Sequence, residues 1–410
     1  MARPADKSTA LWVLRRLRAD GHEAFFAGGC VRDMLLSRRS SDYDVATDAT
    51  PSQVKRLFRR VLLIGAKFGV AMVIHKGRKV EVTTFRSDLS YSDGRRPDAV
   101  RFGSPREDAL RRDFTINGMF HDPLTGEVID YVGGRKDLAR RLIRTIGPPQ
   151  DRFAEDYLRM LRAVRFAVRF GFRIAPATAA AVRNHAAKIT SISGERIFDE
   201  LSRMLSAGSA GEALRLTGRL GLLAEILPEL FADTAMHARS KRRVEAVAKG
   251  RDVILTMGAL LAELKPQSIR RIARRWGASN QLAEGLCFLA EHMNDWPEAP
   301  QMPLCEFKRL MANPHFSRLR TLWRVQEQLE THRTALAGRI ARRAATIPAA
   351  RIAPKPLLAG SNLIALGLSE GPKLGRVLRA VYDAQLDERI TTRRQAVSIA
   401  RDMIARMDRA

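Results

Sequence analysis

Ala27-Gly28-Gly29-Cys30-Val31-Arg32-Asp33, followed shortly by Ser41-Asp42-Tyr43-Asp44-Val45, is the stretch on which the reading of this 410-residue chain turns. Residues two apart on an extended segment project to one face, so Asp42 and Asp44 would stand side by side at the end of a strand. Carboxylates that close repel unless a cation lies between them, and hard oxygen donors suit Mg²⁺. The Gly28-Gly29 turn before a helix start offers backbone N–H groups to a phosphate, although the same pair also suits a plain tight turn. Asp-x-Asp likewise occurs in ordinary turns, so the rest of the chain has to supply the other parts of such a site.

Working outward, 24–27 reads as a strand, 31–36 as a helix, 43–46 as a strand and 51–59 as a helix with Pro51 in its first turn. Segments 68–74 and 79–85, joined at Lys76-Gly77, read as a hairpin. Within the second of them Glu81 is acidic among β-branched neighbours, and a carboxylate on a half-buried strand needs either a metal or a salt-bridge partner. Residues 89–106, rich in Gly, Pro, Ser and Arg, read as a mobile basic loop. Beyond Gly147-Pro148-Pro149 the apolar period becomes that of helices and stays so to the end.

Lys plus Arg is 71 against 44 Asp plus Glu, a net charge of +27, which makes a polyanion such as nucleic acid the expected partner. No apolar run of about 18 residues exists and the basic residues are dispersed, which argues against a membrane. Three scattered cysteines and no apolar leader fit a reduced cytoplasm, and the dispersed histidines exclude a zinc hydrolase pattern.

A helix is expected to begin near Asp151 and to run through EDYLRMLRAVRF, 155–166. Asp156 and Arg159, three apart, fall on one face, with Arg162 and Arg165 continuing the row; this is either a surface salt bridge or a recognition pair. Cytosine and adenine present an amino donor beside a ring nitrogen acceptor, whereas uracil and guanine present a carbonyl beside an N–H. A carboxylate next to an arginine therefore matches C and A and rejects U and G.

With those residues in view, the chain resembles the class II nucleotidyltransferases, the group of bacterial CCA-adding enzymes (tRNA nucleotidyltransferases) and bacterial poly(A) polymerases. The resemblance rests on GGCVRD (28–33), DYD (42–44), EVTTFR (81–86), RRDFTIN (111–117), EDYLRMLRAVRF and SGERIFDELSRML (193–205), in family order and at family spacing. It implies an α+β fold with a nucleotidyltransferase-type α/β catalytic head (1–150), then an all-α neck that recognises the base (151–210), body (211–347) and RNA-binding tail (348–410). It further implies that Gly29 and Arg32 hold the triphosphate and that Asp42 and Asp44 ligate two Mg²⁺ ions, with Glu81 a third carboxylate. Arg112, Asp113 and Asn117 would contact the sugar and link head to helices. Asp156 and Arg159 would read the base, supported by Arg162 and Arg165, with Glu195 and Arg196 bracing their helix.

Within the group, the glycine pair Gly65 and Gly69 and the tail segments 363–368 and 371–376 resemble CCA-adding enzymes more than poly(A) polymerases. The loop sequence 93–97 favours complete CCA addition or terminal A addition over CC addition. Partners implied are tRNA, ATP and CTP, with a monomer or a homodimer equally open. The alternatives are a poly(A) polymerase and a catalytically silent RNA-binding protein on the same scaffold, the latter disfavoured by the intact Asp42, Asp44 and Glu81.

Overall fold

The strand expected at 24–27 forms as Ala24–Ala27 near the middle of a mixed sheet in the computed structural model, which describes residues 3–4, 6–40, 42–64, 66–88 and 99–409. Among the described residues the sheet has eight strands, in the order Val128–Asp130, Met119–His121, Ala24–Ala27, Asp44–Thr47, Arg78–Thr84, Val70–His75 and Val61–Leu62, with Arg3–Pro4 paired to Arg78–Thr84. Neighbours run antiparallel except at Asp44–Thr47 against Arg78–Thr84 and at Arg3–Pro4, which are parallel.

Alternation along the strands feeds two cores. Phe26, Val45, Val80 and Val82 point toward the helix Lys7–Ala19, which contributes Val13, Leu14 and Leu17. Phe25, Ala27, Ala46, Phe85 and Phe120 form a smaller cluster on the opposite face. Each fully buried Leu, Val or Phe contributes about 1.5–3 kcal/mol, so the larger cluster fixes the sheet. The strand that carries Asp44 alternates with it: Val45 belongs to the first core and Ala46 to the second, so Asp44 shares the face of Ala46.

Two expectations are corrected here. The 89–106 loop is shorter than expected: Arg86–Asp88 pairs with Val100–Phe102, and a helix starts at Pro105 behind a Ser104–Glu107 capping box. Gly65 and residues 89–98, including the 93–97 segment, lie outside the described residues. The single helix expected from Asp151 is two, Pro149–Glu155 and Leu158–Phe170, because Asp156 is extended (φ −159, ψ 102) and its carboxylate accepts the Leu158 N–H. An Asp accepting from the residue two on is an N-terminal cap, and it restarts the helix there.

The described chain divides into two compact units, Met1–Pro228 with Arg275–Gly277, and Glu229–Arg274 with Ala278–Ala410. The second unit is helical, with a core that includes Leu363, Val377, Val381 and Ala396. Within the sequence Lys241-Arg242-Arg243, Arg243 is buried and ion-paired to Glu263 at 2.7 Å.

In the first unit, Gly194 opens the helix Gly194–Leu205, and a Cβ built there would lie 1.7 Å from the Arg275 carbonyl oxygen. Gly194→Ala is expected to destabilise by about 1–3 kcal/mol through this overpacking, whereas Gly218→Ala, in open helical surroundings, should stabilise slightly. Thermal melts of the two variants check the contrast; equal shifts would contradict it.

Candidate active site

Register brings the carboxylates together. Val45 pairs with Val82 across parallel strands, so Asp44 and Glu81, each one residue earlier, align on one face. Asp42, two residues before Asp44, is exposed, and its Oδ1 accepts the Tyr43 N–H. Burial, then Glu81 and Asp42, push the Asp44 carboxyl up to about 7, and burial with Asp42 raises Glu81. Among the described residues neither Asp44 nor Glu81 has a hydrogen bond or ion pair from its carboxylate.

That donor set fits a hard divalent ion. Mg²⁺ is bound by one or two carboxylates and completes its shell with water and substrate phosphates. Among the described residues no group of three or more His, Cys, Asp or Glu that could hold a metal ion is found. Cys30, beside Asp44, is held as a neutral thiol because burial pushes it up to about 12, and it donates to the Ala27 carbonyl.

Gly28 has φ +68 and ψ −121, so it needs a glycine, and a Cβ there would lie 2.9 Å from Arg112 Nη1. Gly29 is the first residue of the helix Gly29–Leu35. Arg112 is fixed by Asp108, whose Oδ2 accepts from Nε and Nη2 at 3.1 and 2.8 Å, and it lies over the Phe120 ring. Arg112 is thereby a fixed positive charge that acts on both Asp44 and Glu81.

The other expected ligand residues form a relay. Arg32, 4% exposed, gives Nε and Nη2 to Asp33 and Nη1 to Asn117 Oδ1 at 2.5 Å. Asn117 gives its amide to Asp113 Oδ1, and Asp113 Oδ2 accepts Nε and Nη2 of Arg162 at 2.9 and 2.6 Å. Arg165 gives Nε to Glu200, which lies 4.0 Å from Arg162 Nη1. Burial works to raise the Asp113 carboxyl, but Arg162 and the Asn117 amide hold it down at about 2. Phe166 and Phe170, stacked one turn apart, carry the guanidiniums of Arg165 at 4.3 Å and Arg32 at 4.6 Å.

Asp156 and Arg159 do not pair with each other as a shared helical row requires. Asp156 takes Arg196 Nη2 at 2.7 Å, while Arg159 reaches Glu155 and the Arg152 carbonyl, because the backbone is extended at Asp156. Asp33, Asp108, Glu200 and the two phenylalanines, which hold the expected arginines in place, are not among the residues expected from the sequence. The Asp108 spacing to Arg111 and Arg112, three and four along a helix, is the signal that was available for one of them.

A two-carboxylate strand pair on a mixed sheet, tied through RRDFTIN to an arginine-bearing helix, defines a nucleotidyltransferase. Residues 24–144 match the family described as "Poly A polymerase head domain", and 171–234 the family described as "Probable RNA and SrmB- binding site of polymerase A". The CCA-adding enzyme of Geobacillus kaustophilus is 38% identical over 70% of each chain, and that of Lacticaseibacillus paracasei 34% identical over 92% of this chain and 91% of its own. The crystal structure of the Bacillus stearothermophilus CCA-adding enzyme in complex with CTP superposes over 98% of both chains, with a TM-score of 0.75 and 28% identity. The chain belongs to the CCA-adding enzyme family. Nucleotidyltransferases of this kind generally use divalent metal ions. Among the described residues no helix is long and apolar enough to cross a membrane.

Proposed function

We propose that this chain adds C, C and A to the 3′ end of tRNA in the cytoplasm, using CTP, ATP and Mg²⁺. The observation that carries the reading is the alignment of the unpartnered Asp44 and Glu81 on one sheet face beside the fixed Arg112. Mg²⁺ held there by Asp42 and Asp44, with Glu81 as the third carboxylate, would lower the pKa of the RNA 3′-hydroxyl and stabilise the pyrophosphate leaving group.

This chain's own residues do the rest. Gly28 and Gly29 let the triphosphate approach the backbone, and Arg112 sets a positive charge next to the carboxylates. Arg32 uses three of its N–H groups on Asp33 and Asn117, leaving two for phosphate, so it binds from a fixed position. Asp113 and Asn117 act on the sugar through the chain of hydrogen bonds they anchor, and the base-reading helix is held by Arg162 on Asp113 and by Arg165 on Glu200. Asp156 and Arg159 read the base from the break between the two helices, with Arg196 bracing Asp156 and Glu195 on the same turn. The head at 1–150, neck at 151–210, body at 211–347 and tail at 348–410 divide catalysis, base reading and RNA grip.

The base-reading arrangement makes a direct prediction. With tRNA lacking its CCA end, CTP alone and CTP with ATP should be incorporated, while UTP and GTP should be rejected by at least about a hundredfold in kcat/KM, as expected for a site left with unpaired buried polar groups. Equal use of UTP and CTP would contradict it.

A further inference from the structure

The sheet face that carries Asp44 and Glu81 continues past them. Glu81 stands opposite Met72, and Met72 opposite Leu62, so one row runs Asp44, Glu81, Met72, Leu62 across four neighbouring strands. Two residues along, Lys79 stands opposite Ile74, whose N–H donates to the Arg60 carbonyl and extends a second row to the sheet edge. Alternation puts both rows on one face, because Val61, Val73 and Val80, which lie between them, pack into the core under the helix Lys7–Ala19.

Met72, Ile74 and Leu62 belong to neither of the two cores of the sheet. Met72 and Ile74 are half-buried, Leu62 is 49% exposed, and Arg60 and Lys79 are exposed. One exposed leucine is ordinary on a protein surface. An apolar row that leads straight out from two carboxylates, with a cation at each end of the row beside it, calls for an occupant. Lys79 stands near enough to the carboxylates that its charge works against burial and Asp42, which raise the Glu81 carboxyl.

Strand order selects that occupant. The triphosphate is assigned to Gly28 and Gly29, where Ala24–Ala27 ends, and to Arg112, which lies over the ring of Phe120. Those strands lie on one side of Asp44–Thr47, whereas Glu81, Met72 and Leu62 lie on the other. Attacking and leaving oxygens stand in line across the phosphorus, so the RNA 3′-hydroxyl arrives from the side opposite the pyrophosphate. Strand spacing sets Met72 about 5 Å and Leu62 about 10 Å beyond Glu81, within the span of one nucleoside. We propose that Met72, Ile74 and Leu62 seat the 3′-terminal nucleoside of the acceptor RNA, with Lys79 and Arg60 facing its 5′-phosphate. The proposal rests on the reading above that RNA is the substrate, and it adds where the growing end is held. Apolar side chains cover the face of a base without reading its edge, so the seat accepts whichever nucleotide ends the chain, as successive addition of C, C and A requires.

The test uses the full chain and a tRNA transcript that ends before CCA and carries 4-thiouridine as its last nucleotide. Ultraviolet cross-linking and peptide mapping are expected to join that base to the segment 68–76, which carries Met72 and Ile74. A cross-link confined to 28–38 or to 158–170 overturns the proposal. In steady-state kinetics, Met72→Ser/Leu62→Ser should lower kcat at saturating tRNA about ten- to a hundredfold, because the 3′-hydroxyl is no longer aligned. Its KM for CTP and its dissociation constant for tRNA should match the wild type, and Met72→Leu, which conserves volume, should keep the wild-type kcat. An unchanged kcat in the folded double variant overturns the proposal. So does a wild-type dimer that the double variant turns into a monomer with its kinetics intact, since the face then covers a second copy. The cross-link needs no variant and decides the matter where the double variant fails to fold. A wild type that neither binds nor extends the transcript would instead overturn the substrate assignment itself.

Discussion

Asp44→Asn is expected to cut CTP incorporation by about a thousandfold, equivalent to about 4 kcal/mol of transition-state stabilisation, while the chain stays folded. The carboxylate lies on the edge of the small aromatic cluster, aligned with Glu81 and without a hydrogen-bond or ion-pair partner among the described residues. A structural carboxylate in that position would destabilise the fold when lost. Here the opposite is expected in the metal-free protein. Because the folded pKa is raised from 3.8 to about 7, the favourable contribution of the protonated group is complete below about 4 and is lost as pH rises through 7. Asparagine cannot ionise, so metal-free Asp44→Asn should melt higher than the wild type at pH 8 and nearly equal to it at pH 4. Added Mg²⁺ should raise the melting temperature of the wild type and leave the variant unmoved. Melting curves at the two pH values, with and without Mg²⁺, check all three statements, and a lower melting temperature for the variant at pH 8 would contradict them.

Asp113→Asn should have the largest effect on stability. Asp113 joins the amide of Asn117 to the guanidinium of Arg162, and thereby joins the helix Gly29–Leu35, through Arg32, to the helix Leu158–Phe170. Breaking a buried pair by removing one charge costs about 3–5 kcal/mol, and because Arg162 is one-third exposed the expected loss is about 2–3 kcal/mol. Its pH signature has the opposite sign to that of Asp44. The Asp113 carboxyl is lowered to about 2, so its contribution is present above 3.8 and is lost as pH falls toward 2. Urea unfolding of the wild type and the variant should differ at pH 7 and converge near pH 2. If the helix Leu158–Phe170 reads the base as proposed, the variant should lose base discrimination as well as rate, because Arg162 no longer ties that helix to Asp113. A variant that loses rate with stability intact would show that Asp113 acts on substrate alone.

Local patterns carried much of the fold. Alternation located the strand Ala24–Ala27, and Lys76-Gly77 located the hairpin of Val70–His75 and Arg78–Thr84, because both depend on neighbours in sequence. Asp42 and Asp44 stood out through their spacing alone. The alignment of Asp44 with Glu81 did not, since it depends on a parallel register that no short window records. The relay was hidden for the same reason. Its contacts link residues 85, 49 and 35 positions apart, from Arg32 to Asn117, Arg162 to Asp113 and Arg165 to Glu200. Only the order of the motifs pointed to it. The break at Asp156 left the apolar period of Leu158, Leu161, Val164 and Ala167 undisturbed, so periodicity ran through it. Asp as an N-terminal cap two residues before Leu158 was the available clue.

The same long-range pairing explains why Arg32 is more constrained than its motif suggests. Arg32 looks in the sequence like a free cation after a glycine turn. In the fold it is packed against Phe170 and held on both sides by Asp33 and Asn117. Its position is thereby set in part by Phe170 of the helix Leu158–Phe170.

The most direct measurement is the 3′-end sequence of a tRNA transcript ending before CCA, after incubation with the full chain, CTP, ATP and Mg²⁺. Products that end in C, C, A and stop there are the predicted result. Long runs of A, or an unextended transcript, would contradict it.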